Sequence, residues 1–586
     1  MPLAAAKTPA DVTKAPSLAE IIRRACIVFA DRPAQMRPEG GAYKTVTYRE
    51  LYEDVWSFAQ GISTLGLTRG DRIVILGETM WQWAVTDWAC QTLGLVVVPI
   101  YPTLPPDQAQ YIFKDCEAKA AICMSGKLAE KLKDSGGPVF TLSPEAGWES
   151  ILERKSQSTL DRNAWEEAMG EIQPEDMATF IYTSGTTGLP KGAMLPHRCF
   201  SSLSDGIRES LPITQEDTFL SFLPLSHVFE RYAGHILPIS LGACVAYAGS
   251  LASLAGDMVK VKPTIMLAVP RFLEATRAKI LEGVKKQKPL NQTLFNAAVS
   301  QGSKKAKGEF APFAGILDGL VGKKIRERTG GRIRFFASGG AALPPAVADF
   351  YIALGIPVLQ GYGLTETCAA SSINHPEDNR PWTVGPPIKG VEMSLASDGE
   401  ILIRGKSVMV GYYNLPEETA KAIDSEGWFH TGDIGVWDDG SLKITDRKKD
   451  ILVLANGKNV APQAVEGKVK ESDYINEVVL FGDGSPFCYA LIVPEFGAVA
   501  AKLKSEGIDL SDHAAISAHE KTRALIKSEV DRINKTLPDF EKVKKHALLP
   551  KMLTVDEGEL TPSMKVKRKV IKEKFADLLK PMESED

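Results

Sequence analysis

The sequence predicts an α/β protein: a large N-terminal domain of βα-layered sheets followed by a small α+β C-terminal domain. Three observations predict it. Helix-period and short apolar, strand-like segments alternate from Thr45 to Cys123; the same grammar returns between residues 264 and 340; and after about Gly427 the texture changes to short strands, turns and charged helices. Near-continuous apolar strands between helices imply a parallel sheet covered on both faces.

The elements follow in order. Thr47 and Glu50 stand at capping-box spacing, and Leu51, Val55, Phe58, Ala59 and Ile62 then recur at helical intervals, which predicts an amphipathic helix ending near Gly66. RIVIL (72–76), LVVVPI (95–100) and AAIC (120–123) read as strands, with the helix-like MWQWAVTDWACQTL after the first and a polar helix-like stretch after the second. TIMLAVP (264–270) and RIRFFASGG (332–340) each lead into a helix. The Lys/Gln-rich stretch from Gly283 to Gly308 reads as an exposed helical excursion. The domain boundary falls near Asp446 to Asp450, leaving roughly 135 residues beyond it.

Composition bounds the function. The 586 residues, 44% hydrophobic and 24% charged, are ample for a large core and exclude a disordered, fibrous or coiled-coil protein. A net charge of −4 does not favour nucleic-acid binding. Between Lys542 and Lys574, ten Lys/Arg face four acidic residues, a local excess that reads equally as a solvated face or a phosphate-facing one. The eight cysteines contain no CxxC pair, which fits a reducing compartment and not a zinc site. Residues 1–16 lack the apolar core of a secretory signal and read as a disordered tail. Tyr232 to Gly256 carries no formal charge and is long enough to span a bilayer, but its Ser, Gly and Pro238 favour a buried strand and loop.

The strongest local signal is YTSGTTGLPKG, Tyr182 to Gly192. Its glycines let backbone fold tightly around a ligand, its hydroxyls donate hydrogen bonds and Lys191 supplies a point charge, a combination suited to a polyphosphate. The spacing is not that of a Walker A loop, because Pro190 stands where the second Gly should be. Apolar runs on both sides predict that the loop joins two strands. The candidate phosphate ligands are Thr183, Ser184, Gly185, Thr186, Thr187, Gly188 and Lys191.

Here the sequence resembles the adenylate-forming superfamily of acyl-CoA synthetases, luciferases and peptide-synthetase adenylation domains. Further segments match in the same order: LPLSHVFER (223–231), SGGAALP (338–344), GYGLTET (361–367), GWFHTGD (427–433), DRKKD (446–450) with NGKNV (456–460), and LTPSMKVKR (560–568). Read alone, Tyr362 is a core aromatic, Asp433 a turn residue, DRKKD a surface cluster and Lys565 a solvated lysine. The resemblance gives them roles. It implies adenine contact within Gly361, Tyr362 and Gly363, and nucleotide contact at Gly339, Gly340 and Ala341. It implies α-phosphate contact at Thr365, Mg²⁺ at Glu366, and ribose contact at Asp433 and Arg447. Lys565 becomes the catalytic lysine, although Met564 replaces the Gly common before it, as in the long-chain subgroup. His227 reads as a satisfied core histidine or, by the resemblance, as the residue beside the substrate carboxylate.

The implied reaction is two-step. A carboxylic acid and ATP form an acyl-adenylate, and coenzyme A then takes the acyl group. The C-terminal domain (450–586) is implied to be mobile against the N-terminal domain (17–446) through a hinge at 447–449 centred on Lys449, presenting Lys565 first and Gly457 for the thioester step. HVFER, the Lys-rich excursion and TPSMKVKRK resemble long-chain fatty-acyl-CoA synthetases. The absence of an acid between Ser226 and Phe229 favours an uncharged acyl tail. A cytoplasmic protein with reversible electrostatic docking to a membrane surface is expected. Loading of a carrier protein, or a catalytically silent ATP-binding protein, are the alternatives.

Overall fold

The Thr47 capping box forms as the spacing predicts. The Thr47 hydroxyl accepts from the Glu50 amide, the Glu50 carboxylate accepts from Thr47 N–H, and helix Tyr48–Ser63 buries Leu51, Val55, Phe58, Ala59 and Ile62. The structure is a computed structural model describing residues 8–183, 189–561 and 565–583.

Two large sheets make the N-terminal part. One has eight strands in the spatial order 372–373, 358–362, 335–338, 265–268, 218–221, 244–247, 33–39 and 42–47; its central strands are parallel. The other has seven, ordered 411–412, 191–196, 177–183, 96–100, 72–76, 120–123 and 139–141. Its strands from 177–183 through 139–141 are parallel. Met177–Thr183 and Lys191–Pro196 pair antiparallel, so the glycine- and hydroxyl-rich segment does join two strands. A four-stranded antiparallel sheet (391–395, 400–405, 429–438 and 441–447) completes this part. Beyond it a second core forms: Leu452, Val460, Val478, Leu480 and Ile492 pack around a three-stranded sheet (475–481, 488–494 and 543–548).

The tail ends earlier than expected. Pro9–Thr13 is helical, Val12 and Ala15 are buried, and the Thr13 hydroxyl bonds Asp205 while accepting from Arg208. A segment whose Lys and Pro suggest solvation is held because its few apolar residues share one face and cover helix His197–Ser210. Residues 1–7 lie outside the described residues. Tyr232 to Gly256 is helical turns, a buried strand at Cys244–Tyr247 and loop. Among the described residues no helix is long and apolar enough to cross a membrane. The Lys-rich excursion is helical, Pro270–Lys285 and Pro289–Ala306, and the second of these buries only Phe295 and Ala298. All eight cysteines are buried and unpaired.

Candidate active site

Parallel strands place the loops that follow them at one edge of the sheet, where α/β proteins bind ligands. In the eight-stranded sheet these loops carry Phe222 to His227 (after 218–221), Gly339 to Ala341 (after 335–338) and Gly363 to Thr365 (after 358–362). The seven-stranded sheet turns its corresponding edge toward them. Tyr101, after strand 96–100, meets the His227 ring edge-on at 6.3 Å, and Thr79, after 72–76, donates to Leu223 O and accepts from Leu225 N–H.

Asp433 and Arg447 face each other on adjacent strands of the four-stranded sheet. Asp433 is buried; Oδ1 accepts from Arg447 Nε at 3.0 Å and Oδ2 from the Tyr362 hydroxyl at 2.7 Å. Burial, then the Asp433 charge, pushes the Tyr362 phenol well above its ordinary value, so it stays a donor. Thr365 opens a short 3₁₀ turn, Thr365–Thr367. Cys368 and Ala369 behind it hold left-handed backbone, φ +57° and +82°, which costs about 1–2 kcal/mol each. The bend closes GYGLTET on itself: a Cβ on Gly363 would lie 2.3 Å from the Ala369 carbonyl oxygen. At Gly339 a Cβ would sit 3.1 Å from the Phe229 ring.

Glu366 accepts from the Tyr412 hydroxyl through Oε1 at 2.8 Å. Its Oε2 makes no hydrogen bond among the described residues and is free for a cation. Lys191 is ion-paired with Glu418 and lies 5.3 Å from the Tyr412 ring centre, while Glu418 also holds Lys421. Hydrogen bonds from the two lysines hold the Glu418 carboxyl at about 2. Thr183 ends its strand beside Lys191. Ser184, Gly185, Thr186, Thr187 and Gly188 lie outside the described residues, as does Met564.

Lys565 arrives from the C-terminal part. Its turn is closed by Thr561, whose hydroxyl accepts Lys565 N–H and whose own N–H donates to Lys565 O. The residue is exposed, yet desolvation by the surrounding protein, then Arg447, lowers the ammonium from the ordinary lysine value; Asp433 and Glu366 oppose the shift. Burial, then Lys565, lowers His227 to about 4, so it is neutral at pH 7. His227 Nδ1 accepts Phe229 N–H at 3.1 Å, which puts the neutral ring's proton on Nε2 as a donor. Arg271, on helix Pro270–Lys285, pairs with Glu477 on strand Ile475–Phe481 at 2.7 Å. Gly457 instead sits on an exposed turn, φ +78°, with no atom near where a Cβ would stand. Lys449 is exposed and makes no ion pair among the described residues, whereas Lys448 pairs with Asp398 and Glu400.

Sequence reading missed Tyr412 and Glu418, which lie outside every motif, and it quoted Arg231 without a role. Arg231 is fully buried and donates two bonds to Asp87, at 2.6 and 2.7 Å, and one to Thr179, joining helix Trp81–Thr92 to strand Met177–Thr183 beneath His227. The charged residue after HVFE was the available signal; its partners are remote in sequence. Glu230 beside it is also buried: burial raises its carboxyl to about 8, against bonds from Ser221 and the Phe222 amide.

With this geometry in hand, the comparisons agree. Residues 22–413 match the family described as AMP-binding enzyme, and residues 449–585 match its C-terminal domain. The chain belongs to the AMP-binding enzyme family. It is 32% identical over 573 residues to a long-chain-fatty-acid–CoA ligase of Mycobacterium bovis, covering 92% of each chain. It is also 32% identical over 580 residues to fatty acyl-CoA synthetase A of Dictyostelium discoideum, covering 93% of this chain and 86% of that one. Among solved structures, the adenylation domain of a carboxylate reductase from Mycobacterium chelonae shares the fold with TM-score 0.74 at 23% identity, over 98% of this chain and 92% of that chain.

Proposed function

We infer that the protein is an AMP-forming, long-chain fatty-acid–CoA ligase. In the first step a fatty-acid carboxylate oxygen attacks the α-phosphorus of ATP and pyrophosphate leaves. In the second, the CoA sulfur attacks the acyl carbonyl of the adenylate, its proton passes to solvent and AMP leaves. The observation that carries this reading is the convergence of Lys565, from the C-terminal part, on the cleft that holds Asp433, Arg447, Glu366 and His227. The names of the two relatives support the fatty acyl substrate and CoA.

The residues divide the work. Asp433, with two carboxylate oxygens, and Arg447 take the ribose hydroxyls, with Tyr362 holding the carboxylate in place. Gly339, Gly340, Ala341, Gly361 and Gly363 let backbone approach the adenine, and Thr365 meets the α-phosphate. The segment from Thr183 to Gly188 cradles the outer phosphates with Lys191, which must exchange Glu418 for phosphate to do so. Lys565 bridges carboxylate and α-phosphate and offsets the repulsion between two anions. His227 is an Nε2–H donor that orients the carboxylate, not a proton acceptor. Glu366 suits Mg²⁺, which binds through one or two carboxylates plus substrate phosphates and, when bound, neutralises their charge. Rotation about Lys449 then withdraws Lys565 and brings Gly457 to the thioester.

AMP release from ATP, with and without CoA, across acids from acetate to oleate, tests this reading. CoA-dependent release that rises with chain length is expected. Pyrophosphate exchange without CoA-dependent AMP would assign the chain to carrier loading.

A further inference from the structure

The helical turns from Ala314 to Arg328 have two apolar faces where one suffices. Ala314, Leu317, Val321 and Ile325 turn inward, the first two buried and the last two packed on the core beneath strands 265–268 and 335–338. A second set turns outward: Phe313 is 62% exposed, Ile316 67% and Leu320 50%, spaced i, i+3 and i+7, and Phe310 just ahead is 85% exposed. Four large apolar side chains in eleven residues of surface are not needed by the fold.

Their surroundings are basic. Between residues 285 and 328 the chain carries ten Lys/Arg against three acidic residues. Lys304, Lys305, Lys307, Lys323 and Lys324 are exposed and form no ion pair among the described residues; Lys286 and Arg326 do, with Glu282 and Asp318. The C-terminal basic excess is organised differently, because Lys551 and Lys574 are neutralised on Glu557 and Glu559.

We propose that this face, Phe310 to Leu320 within its lysine surround, docks on an anionic phospholipid bilayer, the phenylalanines entering the headgroup layer and the lysines meeting lipid phosphates. Charge selects this occupant over a second copy of the chain, since self-association would press two positive rims together. The docking reading stands independently of the ligase reading.

The test is co-sedimentation of the full chain with phosphatidylglycerol/phosphatidylcholine vesicles against pure phosphatidylcholine vesicles. Binding to the anionic vesicles that weakens with salt is expected, each basic residue being worth about fivefold. Phe310→Ser/Phe313→Ser/Ile316→Ser/Leu320→Ser and, separately, Lys304→Glu/Lys305→Glu/Lys307→Glu should each lower affinity at least ~10-fold. Both should retain the wild-type melting temperature, as exposed side chains. A polarity-sensitive dye on Phe313→Cys, selective because the eight native cysteines are buried, should shift to the blue on anionic vesicles only. Failure of the wild type to bind, equal binding to both vesicles, or unchanged binding by both variants overturns the proposal. So does a dimer in ultracentrifugation that the serine variant abolishes. None of these readouts uses the enzyme's activity.

Discussion

Arg231 and Lys191 both answer a carboxylate a few ångströms away, yet they are built for opposite purposes. Arg231 lies under the cleft at 0% side-chain exposure with Asp87 at 1%, and its Nη1 donates to Thr179. Lys191 and Glu418 lie on the cleft rim, each about one-third exposed, and Glu418 divides itself between two lysines. A desolvated pair cannot be opened without stranding a charge. A solvated one is opened cheaply, which a phosphate-binding lysine requires. The difference separates the charge that holds the two sheets together from the cleft charges, Lys565 among them, to which the proposed function gives the substrate.

Breaking the inner pair should have the largest effect. Arg231→Ala should cost about 3–5 kcal/mol in urea unfolding because Asp87 is left buried without its counter-charge, while Arg231→Met with Asp87→Leu should recover most of it. If the single variant is no less stable than the double one, the pair does not join the sheets. Lys565→Ala should leave the unfolding midpoint unchanged and slow adenylate formation by 10²–10³, about 2.7–4 kcal/mol, yet spare thioester formation from supplied acyl-adenylate. Equal loss in both half-reactions would remove Lys565 from its assigned step. Lys449→Pro should do the reverse, since proline locks φ at the hinge; survival of both half-reactions would move the hinge elsewhere.

Glu230 sharpens the contrast through pH. Its folded-state value, about 8, lies above the ordinary carboxyl value, so its contribution is whole below about pH 4.5 and is lost as pH rises through 8. Glu230→Gln should therefore gain on the wild type as pH rises, by a few kcal/mol on the order of that shift at pH 8.5 and little at pH 5. A difference in urea stability that does not change between those two pH values would mean the carboxyl is not held neutral. The smallest effect belongs to the rim: Glu418→Gln should leave the urea unfolding midpoint essentially unchanged, because solvent already screens the pair. It should alter the KM for ATP more than kcat for adenylate formation, because it frees Lys191 before the nucleotide arrives. An unchanged KM would leave the pair without a role in binding.

Local elements were legible because their causes are local. The Thr47 box, the strands at 72–76 and 120–123 and the strand–loop–strand around Lys191 depend on residues within one or two turns or a single pairing. The expected tail went wrong from Thr8 onward because burial of Val12 depends on helix His197–Ser210, nearly two hundred residues away. Arg231, Tyr412 and Glu418 were silent for a related reason: an ion pair or a hydroxyl bond has no sequence period, and their partners are 144, 46 and 227 residues distant.

By itself the sequence determined the α/β class, the order of the motif segments and, through resemblance, the chemistry proposed for each. Capping, alternation and glycine spacing act over short stretches of chain, so they can be read there. Only the tertiary structure decided that Lys565 stands at the cleft while Gly457 faces solvent, that His227 is neutral with its proton on Nε2, and that Lys191 is held by Glu418. Those are matters of desolvation and through-space charge, set by which surfaces come together when the sheets and the C-terminal part pack.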